Sequence, residues 1–178
     1  MKRIRLFFIF YVGTFAIFAG CGHILYADGP YQGKVIDSET KQPIEGAAVV
    51  AVWQKEAPAL GHYTVSYYDA QDTLTDKAGN FTIPGITGGS ANPFAKIRDP
   101  LFTIFKPGYN AYKQVLLPPV TEEGRRVVQL VPLKTSEERK KNLYGLLPGG
   151  SCPGQFCVPK EKLFDLLRLM NVEESSLG

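Results

Sequence analysis

The seven residues "AAVVAVW" at 47–53 carry no charge, amide or hydroxyl. Successive side chains of a strand point to opposite faces, so a run apolar at every position needs cover on both. Around it the chain breaks into short runs of β-type sequence. "YQGKVID" (31–37) precedes it across the polar, Pro- and Gly-bearing connection 38–46. "HYTVSYY" (62–68) alternates, and 73–75 and 81–83 flank the turn Asp76-Lys77-Ala78-Gly79-Asn80 as a hairpin. "LFTIFKPGYN" (101–110), "AYKQVLL" (111–117) and "RVVQLVPL" (126–133) complete the set. Segment 54–61 breaks the pattern, and the Gly-, Pro- and Asn-rich segment 86–100 reads as a long loop. The expectation is an all-β, antiparallel β-sandwich of seven to eight strands over 30–134, since no helical period interrupts them.

A different texture follows. Residues 135–147 begin like a helix, with Thr135 or Ser136 as N-cap and acidic residues in the first turn. Residues 159–174 read as a second helix with Pro159 in its first turn. Leu163, Leu166, Leu167 and Met170 share one face, and Phe164 lies beside it. That face either packs back on the sandwich or takes up a partner. The expected domain order is therefore a signal at 1–20, a linker at 21–29, the sandwich at 30–134 and a helical tail at 135–178.

The first twenty residues are not expected to fold with the rest. Lys2, Arg3 and Arg5 precede an apolar run from Leu6 to Ala19. That run has the length of a secretory signal rather than of a membrane span. It ends in "FAGCGH", where Ala19 and Gly20 before Cys21 resemble the bacterial lipobox, although Phe18 stands in place of the usual Leu. The resemblance implies cleavage before Cys21 and lipidation of that cysteine. An ordinary signal cut later, for example after Ala27, and a retained N-terminal anchor are the other two readings. All three export the chain. Under the first, Gly22 lacks the Asp of an inner-membrane retention signal, which makes the outer membrane the default where the host has one.

Export also disposes of the basic pI. Three of the 20 Lys and Arg lie in the leader, so from Cys21 onward 17 cations face 17 acidic groups. A neutral chain offers no basic face for nucleic acid.

Of three cysteines, Cys152 and Cys157 remain as a pair in "SCPGQFC" if Cys21 carries lipid. Two cysteines closing a short Pro-Gly loop in an oxidising compartment are most simply a disulfide. A redox pair would more usually read C-x-x-C at a helix start. A zinc site would need two further ligands, and His23 and His62 are not at ligand spacing.

"GKVIDSETKQPIEGAAVVAV" (33–52), "TDKAGNFTIPG" (75–85) and "FKPGY" (105–109), in that order, resemble the carboxypeptidase regulatory-like domain. The resemblance covers 30–133. It implies a transthyretin-like (prealbumin-like) β-sandwich and a mostly non-catalytic module. Segments 54–72 and 86–100 look like insertions in it, and the cysteine-bearing tail is extra. The hairpin at 73–83 then reads as fold-defining rather than ligand-binding, with Asp76 accepting from backbone N–H groups in the turn.

Catalytic chemistry finds little purchase. No G-x-S-x-G, H-E-x-x-H or P-loop is present. Superfold relatives that hydrolyse hydroxyisourate end in a tyrosine-arginine-glycine-serine motif, which this chain lacks, and intradiol dioxygenases need two histidines at iron. His62 beside Tyr63 is more simply a surface or packing residue than a general base. Asp69, Asp72 and Asp76 could offer oxygens to calcium, but their spacing fits no EF-hand and they read as turn and edge residues. Trp53, Tyr63, Tyr67 and Tyr68 are the candidate ligand-binding aromatics. Tyr63 and Tyr67 share a strand face with Val65, and Tyr68 points the other way. No catalytic residue, metal or cofactor is expected. The expectation is a lipid-anchored module of the cell envelope that contacts a protein partner through loops or an edge strand. The alternative is a carbohydrate- or peptidoglycan-binding module using the aromatic set.

Overall fold

The computed structural model describes residues 24–90, 92–121, 124, 126–147 and 158–178. The apolar run opens β3 (Ala48–Ala59), which lies inside a sheet between β4 (His62–Leu74) and β8 (Leu101–Phe105). Its two faces feed two cores. Ala47, Val49, Ala51 and Trp53 meet Val35, Phe81, Ile83, Phe102, Ile104, Val128 and Leu130. Ala48, Val50 and Val52 meet Phe105, Leu146, Val158, Leu163 and Leu166. An uninterrupted apolar strand is thus required by layers on both sides.

The first core joins two sheets. One has the order β4-β3-β8-β9, where β9 is Tyr112–Val115. The other has the order β10-β2-β5, from β2 (Tyr31–Asp37), β5 (Asn80–Ile83) and β10 (Val127–Leu130). Pairing is antiparallel except between β10 and β2, which run parallel. The protein is mostly β, as expected. Ten strands are described rather than seven to eight, because three segments read as linker or loop are paired.

Those three are β1 (Ile24–Asp28), β6 (Ile86–Ser90) and β7 (Lys96–Ile97). β1 lies inside the expected 21–29 linker, and β6 and β7 inside the expected 86–100 loop. β1 pairs with β6 from Ile24↔Ser90 to Asp28↔Ile86, continuing the β2–β5 ribbon past a crossing of Gly29 and Gly85. A Cβ on Gly85 would stand 2.1 Å from the Asp28 carbonyl oxygen, and Gly85 has φ +93, so the crossing needs glycine there. Segment 54–61, expected to break the strand, instead carries β3 outward as one side of a long hairpin arm. Its register with β4 jumps between Trp53↔Asp69 and Gln54↔Tyr67, which leaves Tyr68 as the extra residue of a bulge.

At the other end of β4, Asp76 Oδ1 accepts from the Ala78 and Asn80 N–H groups at 2.9 and 2.8 Å. Gly79, at φ +76, closes against the Val35 carbonyl. The stretch is a fold-forming turn that carries the chain from β4 in the larger sheet to β5 in the smaller one. The two strands pair with β3 and β2 rather than with each other, so the expected hairpin is not formed.

The tail covers the second face of the larger sheet. Helix α1 (Ser136–Leu143) starts in a capping box, with Thr135 Oγ1 accepting from Glu138 N and the Glu138 carboxylate accepting from Thr135 N. The single helix expected over 159–174 is divided. A 3-10 turn at Lys160–Lys162 leads into α2 (Phe164–Leu177). Leu163 and Leu166 enter the second core, with Leu167 and Met170 at its margin. Arg139 of α1 grips the fully buried Glu173 of α2, with Nε to Oε1 at 2.7 Å, and the Gly108 N–H adds a third contact at 3.2 Å. The apolar helix face therefore packs back on the sheet. Cys21, Cys152 and Cys157, with the expected lipidation and disulfide, lie outside the described residues.

Candidate docking site at the extended end

The β3–β4 arm and the β1–β6 ribbon leave the sandwich in the same direction and meet again at its far end. Between them lies a cavity of about 740 Å³, bordered by Tyr26 of β1, Glu56 and Pro58 of β3, Tyr63 of β4, Phe94 and Ile97. β7 closes one side by pairing Lys96 with Glu56 and Ile97 with Lys55. The Arg98 guanidinium holds the Glu56 carboxylate, with Nε to Oε2 at 2.5 Å. The walls are mainly aromatic and aliphatic.

The ribbon is fixed to the core through one carboxylate. Asp28 accepts from Trp53 Nε1 at 2.6 Å and from the Tyr31 hydroxyl at 2.8 Å. Tyr31 in turn lies edge-on to Trp53 and Phe102, under the Arg126 guanidinium. Burial, and then the Asp28 charge, push the Tyr26 phenol up to about 12. These tyrosines stay neutral donors at ordinary pH.

The four aromatics singled out by sequence do not form one platform. Trp53 is fully buried in the first core, where stacking on a sugar is unavailable to it. Tyr68 packs against the same core, whereas Tyr67 packs against the second. Tyr63 alone is well exposed, on the arm. Trp53 enters the core because it sits on the first-core face of β3, a tertiary fact that sequence proximity to Tyr63 conceals.

The acidic trio is likewise dispersed among structural tasks. Asp69 pairs with Lys162 at 2.9 Å, Asp72 accepts from the Asp165 N–H at the start of α2 at 2.9 Å, and Asp76 closes its turn. No three His, Cys, Asp or Glu side chains converge as a metal site among the described residues. His62 is exposed at the arm tip, its Nδ1 3.0 Å from the Leu60 carbonyl oxygen.

Edge strands can be ranked by what guards them. β5 and β10 have four residues each. β9 carries a bulge, and Lys113 reaches from it to the Asn142 and Tyr144 carbonyls of the tail. The inner half of β4 lies under the tail, through Asp69 and Asp72. The arm half, His62 to Ser66, has no strand on its outer side among the described residues. Among the described residues it is an unguarded edge, as are the outer sides of β1 and β6, and such an edge accepts an extended segment of another chain.

Sequence reasoning missed Tyr26, Leu25, Leu60 and Phe94. A signal was present for each: Leu60 and Phe94 are large apolar residues beside Gly or Pro, and Leu25 and Tyr26 belong to the short apolar run Ile24–Ala27. Compared with known proteins, the chain matches no family model, no curated protein and no solved structure. No helix of the described residues is long and apolar enough to cross a membrane.

Proposed function

We propose that the chain is an exported, lipid-anchored binding or assembly module of the bacterial cell envelope. One observation carries the anchored reading. β1 begins three residues after Cys21 and pairs over its whole length with β6. Cleavage before Cys21 leaves this ribbon intact, whereas cleavage after Ala27 removes four of its five residues. A mature chain starting at Asp28 would also put a new charged terminus on the residue that holds Trp53 and Tyr31.

Within this reading the sandwich is a transthyretin-like fold of the carboxypeptidase regulatory-like type. The three motifs that carry the resemblance meet physically. Tyr109 of "FKPGY" donates to Asp37 of "GKVID" at 3.0 Å, and the ring of Phe81, in "AGNFTIPG", fills the space over Gly33. The role is non-catalytic: among the described residues the buried polar side chains Asp37, Thr75, Thr103, Asn142 and Glu173 all serve hydrogen bonds of the fold.

The partner is an envelope protein that adds an extended segment to the arm half of β4. An antiparallel ladder closed by the two-residue loop Leu60-Gly61 pairs Ala59 with His62 and turns the N–H groups of Tyr63 and Val65 outward. Proline is tolerated where an edge N–H faces solvent, yet it blocks strand addition there. A photo-crosslinker at Tyr63, in the full chain in its native envelope, should trap one reproducible protein. One at Lys77, in the distal turn, should not. Val65→Pro should leave the fold intact and abolish the Tyr63 adduct. Equal adducts at both positions, or an adduct indifferent to Val65→Pro, would contradict the edge as the docking site.

A further inference from the structure

We propose that the tip of the extended end, formed by Leu25, Leu60, Tyr63 and Phe94, seats on the surface of the bilayer that holds the N-terminal lipid. The proposal rests on the anchored reading above and adds the orientation of the molecule on its membrane.

Four large apolar side chains stand in solvent here. Leu60 is 99% exposed, Leu25 86%, Phe94 74% and Tyr63 68%. They come from separate segments, β1, the arm tip and the loop before β7, which the fold brings to one end of the molecule. Tyr63 and Phe94 border the same cavity, and Leu60 lies two residues beyond its wall residue Pro58. Leu25, next to the wall residue Tyr26 on β1, faces away from the cavity at that same end. Leu60 at the apex of a hairpin contributes to neither core. Large apolar side chains exposed this fully at one end of the molecule suit an apolar surface outside the chain.

The chain's own course names that surface. β1 enters at Ile24, opposite Ser90, at the end where the cavity lies. Ile24 is three residue steps from Cys21, a reach of roughly 10 Å when fully extended. A lipid on Cys21 therefore brings this end to the membrane. The opposite end is far away: the 13 residues of β4 span roughly 40 Å at strand rise, and the turn holding Lys77 lies beyond them.

The tip has the composition of an interfacial contact. Aromatic residues with a polar handle and aliphatic residues enter the headgroup boundary, and cations beside them favour anionic lipid. Lys96 borders the cavity, where Arg98 already neutralises Glu56. The seating also leaves the β4 edge alongside the membrane, which directs docking toward partners at that same surface.

The test is depth-dependent quenching on full-length protein, extracted from its envelope and reconstituted in vesicles whose lipids carry bromine on the acyl chains. Leu60→Trp and Phe94→Trp report the tip, and Lys77→Trp reports the far turn. The parent protein gives the baseline, because its sole tryptophan, Trp53, is buried. Leu60 and Lys77 are surface positions, so those variants keep the fold. The tip tryptophans should lose at least about twofold more emission than the one at Lys77, as expected for side chains at headgroup level. Equal quenching at all three positions, in a chain whose intact mass includes lipid, would overturn the seating and leave the anchor standing. A chain without lipid would remove both. Protection of the Leu60 tryptophan that depends on protein concentration and not on brominated lipid would assign the tip to a second copy and overturn the proposal.

Discussion

The Trp53 indole N–H donates to Asp28 Oδ2 at 2.6 Å, tying the strand nearest Cys21 to the largest side chain of the first core. β1 is thereby part of the fold rather than a tether leading to it. The same carboxylate receives the Tyr31 hydroxyl, so one residue holds two donors that burial would otherwise leave without acceptors.

Removing that acceptor should cost the desolvation of the stranded donors. Asp28→Ala is expected to destabilise the protein by about 1–3 kcal/mol, and Asp28→Asn, which keeps an acceptor oxygen, by less. Urea unfolding followed by Trp53 fluorescence measures both. An Asp28→Ala protein as stable as the parent would detach β1 from the core.

Alkaline pH provides an independent reading of the same cluster. Burial first, and then Asp28, raise the phenol of Tyr26 to about 12 and hold Tyr31 higher still. Burial and Asp69 raise Tyr67 to about 12. Folded pKa values raised above the ordinary value near 10 mean that the neutral forms are favoured by folding. Their contribution to stability is complete below pH 10 and is lost as pH climbs toward 12 and beyond. Ultraviolet titration should show a class of tyrosines that ionises only near pH 12 or on unfolding. In Asp28→Asn the Tyr26 transition should move down.

The tail makes a further prediction. Glu173 is fully buried, and its hydrogen bonds from Arg139 lower its pKa despite the burial that opposes this. Arg139→Met leaves that carboxylate buried without its cation, a loss of about 3–5 kcal/mol for such pairs. Arg139→Met with Glu173→Gln should recover part of it. Because the folded pKa is depressed, the pair's contribution is present above the ordinary glutamate range and fades as pH falls through the folded value. Acid unfolding of the parent should therefore be displaced in the double variant, whereas a tail held by Leu163 and Leu166 alone would be indifferent to the pair.

The parts of the fold legible in the sequence were those governed by local rules. Strand β3 declared its double burial through "AAVVAVW", the Asp76 turn through its Asx chemistry, and α1 through the Thr135–Glu138 box. The missed strands follow a different logic. β6, "ITGGS", has almost no side chains to pattern, and pairs because β1 lies beside it across the Gly29–Gly85 crossing. The outer part of β3 is polar because it forms an arm with little core to cover. Pairing imposed by tertiary contacts leaves such segments without periodicity. For the same reason the aromatic set looked contiguous in the sequence, whereas burial separates Trp53 from Tyr63.

The central claim, a lipid-anchored chain that keeps β1, is tested most directly by the intact mass and N-terminal peptide of the protein extracted from its native envelope. The account predicts a mature chain whose first residue is Cys21, with acyl mass on it, and loss of both lipid and membrane retention in Cys21→Ser. A mature chain beginning at Asp28, unmodified and released from the envelope, would contradict it.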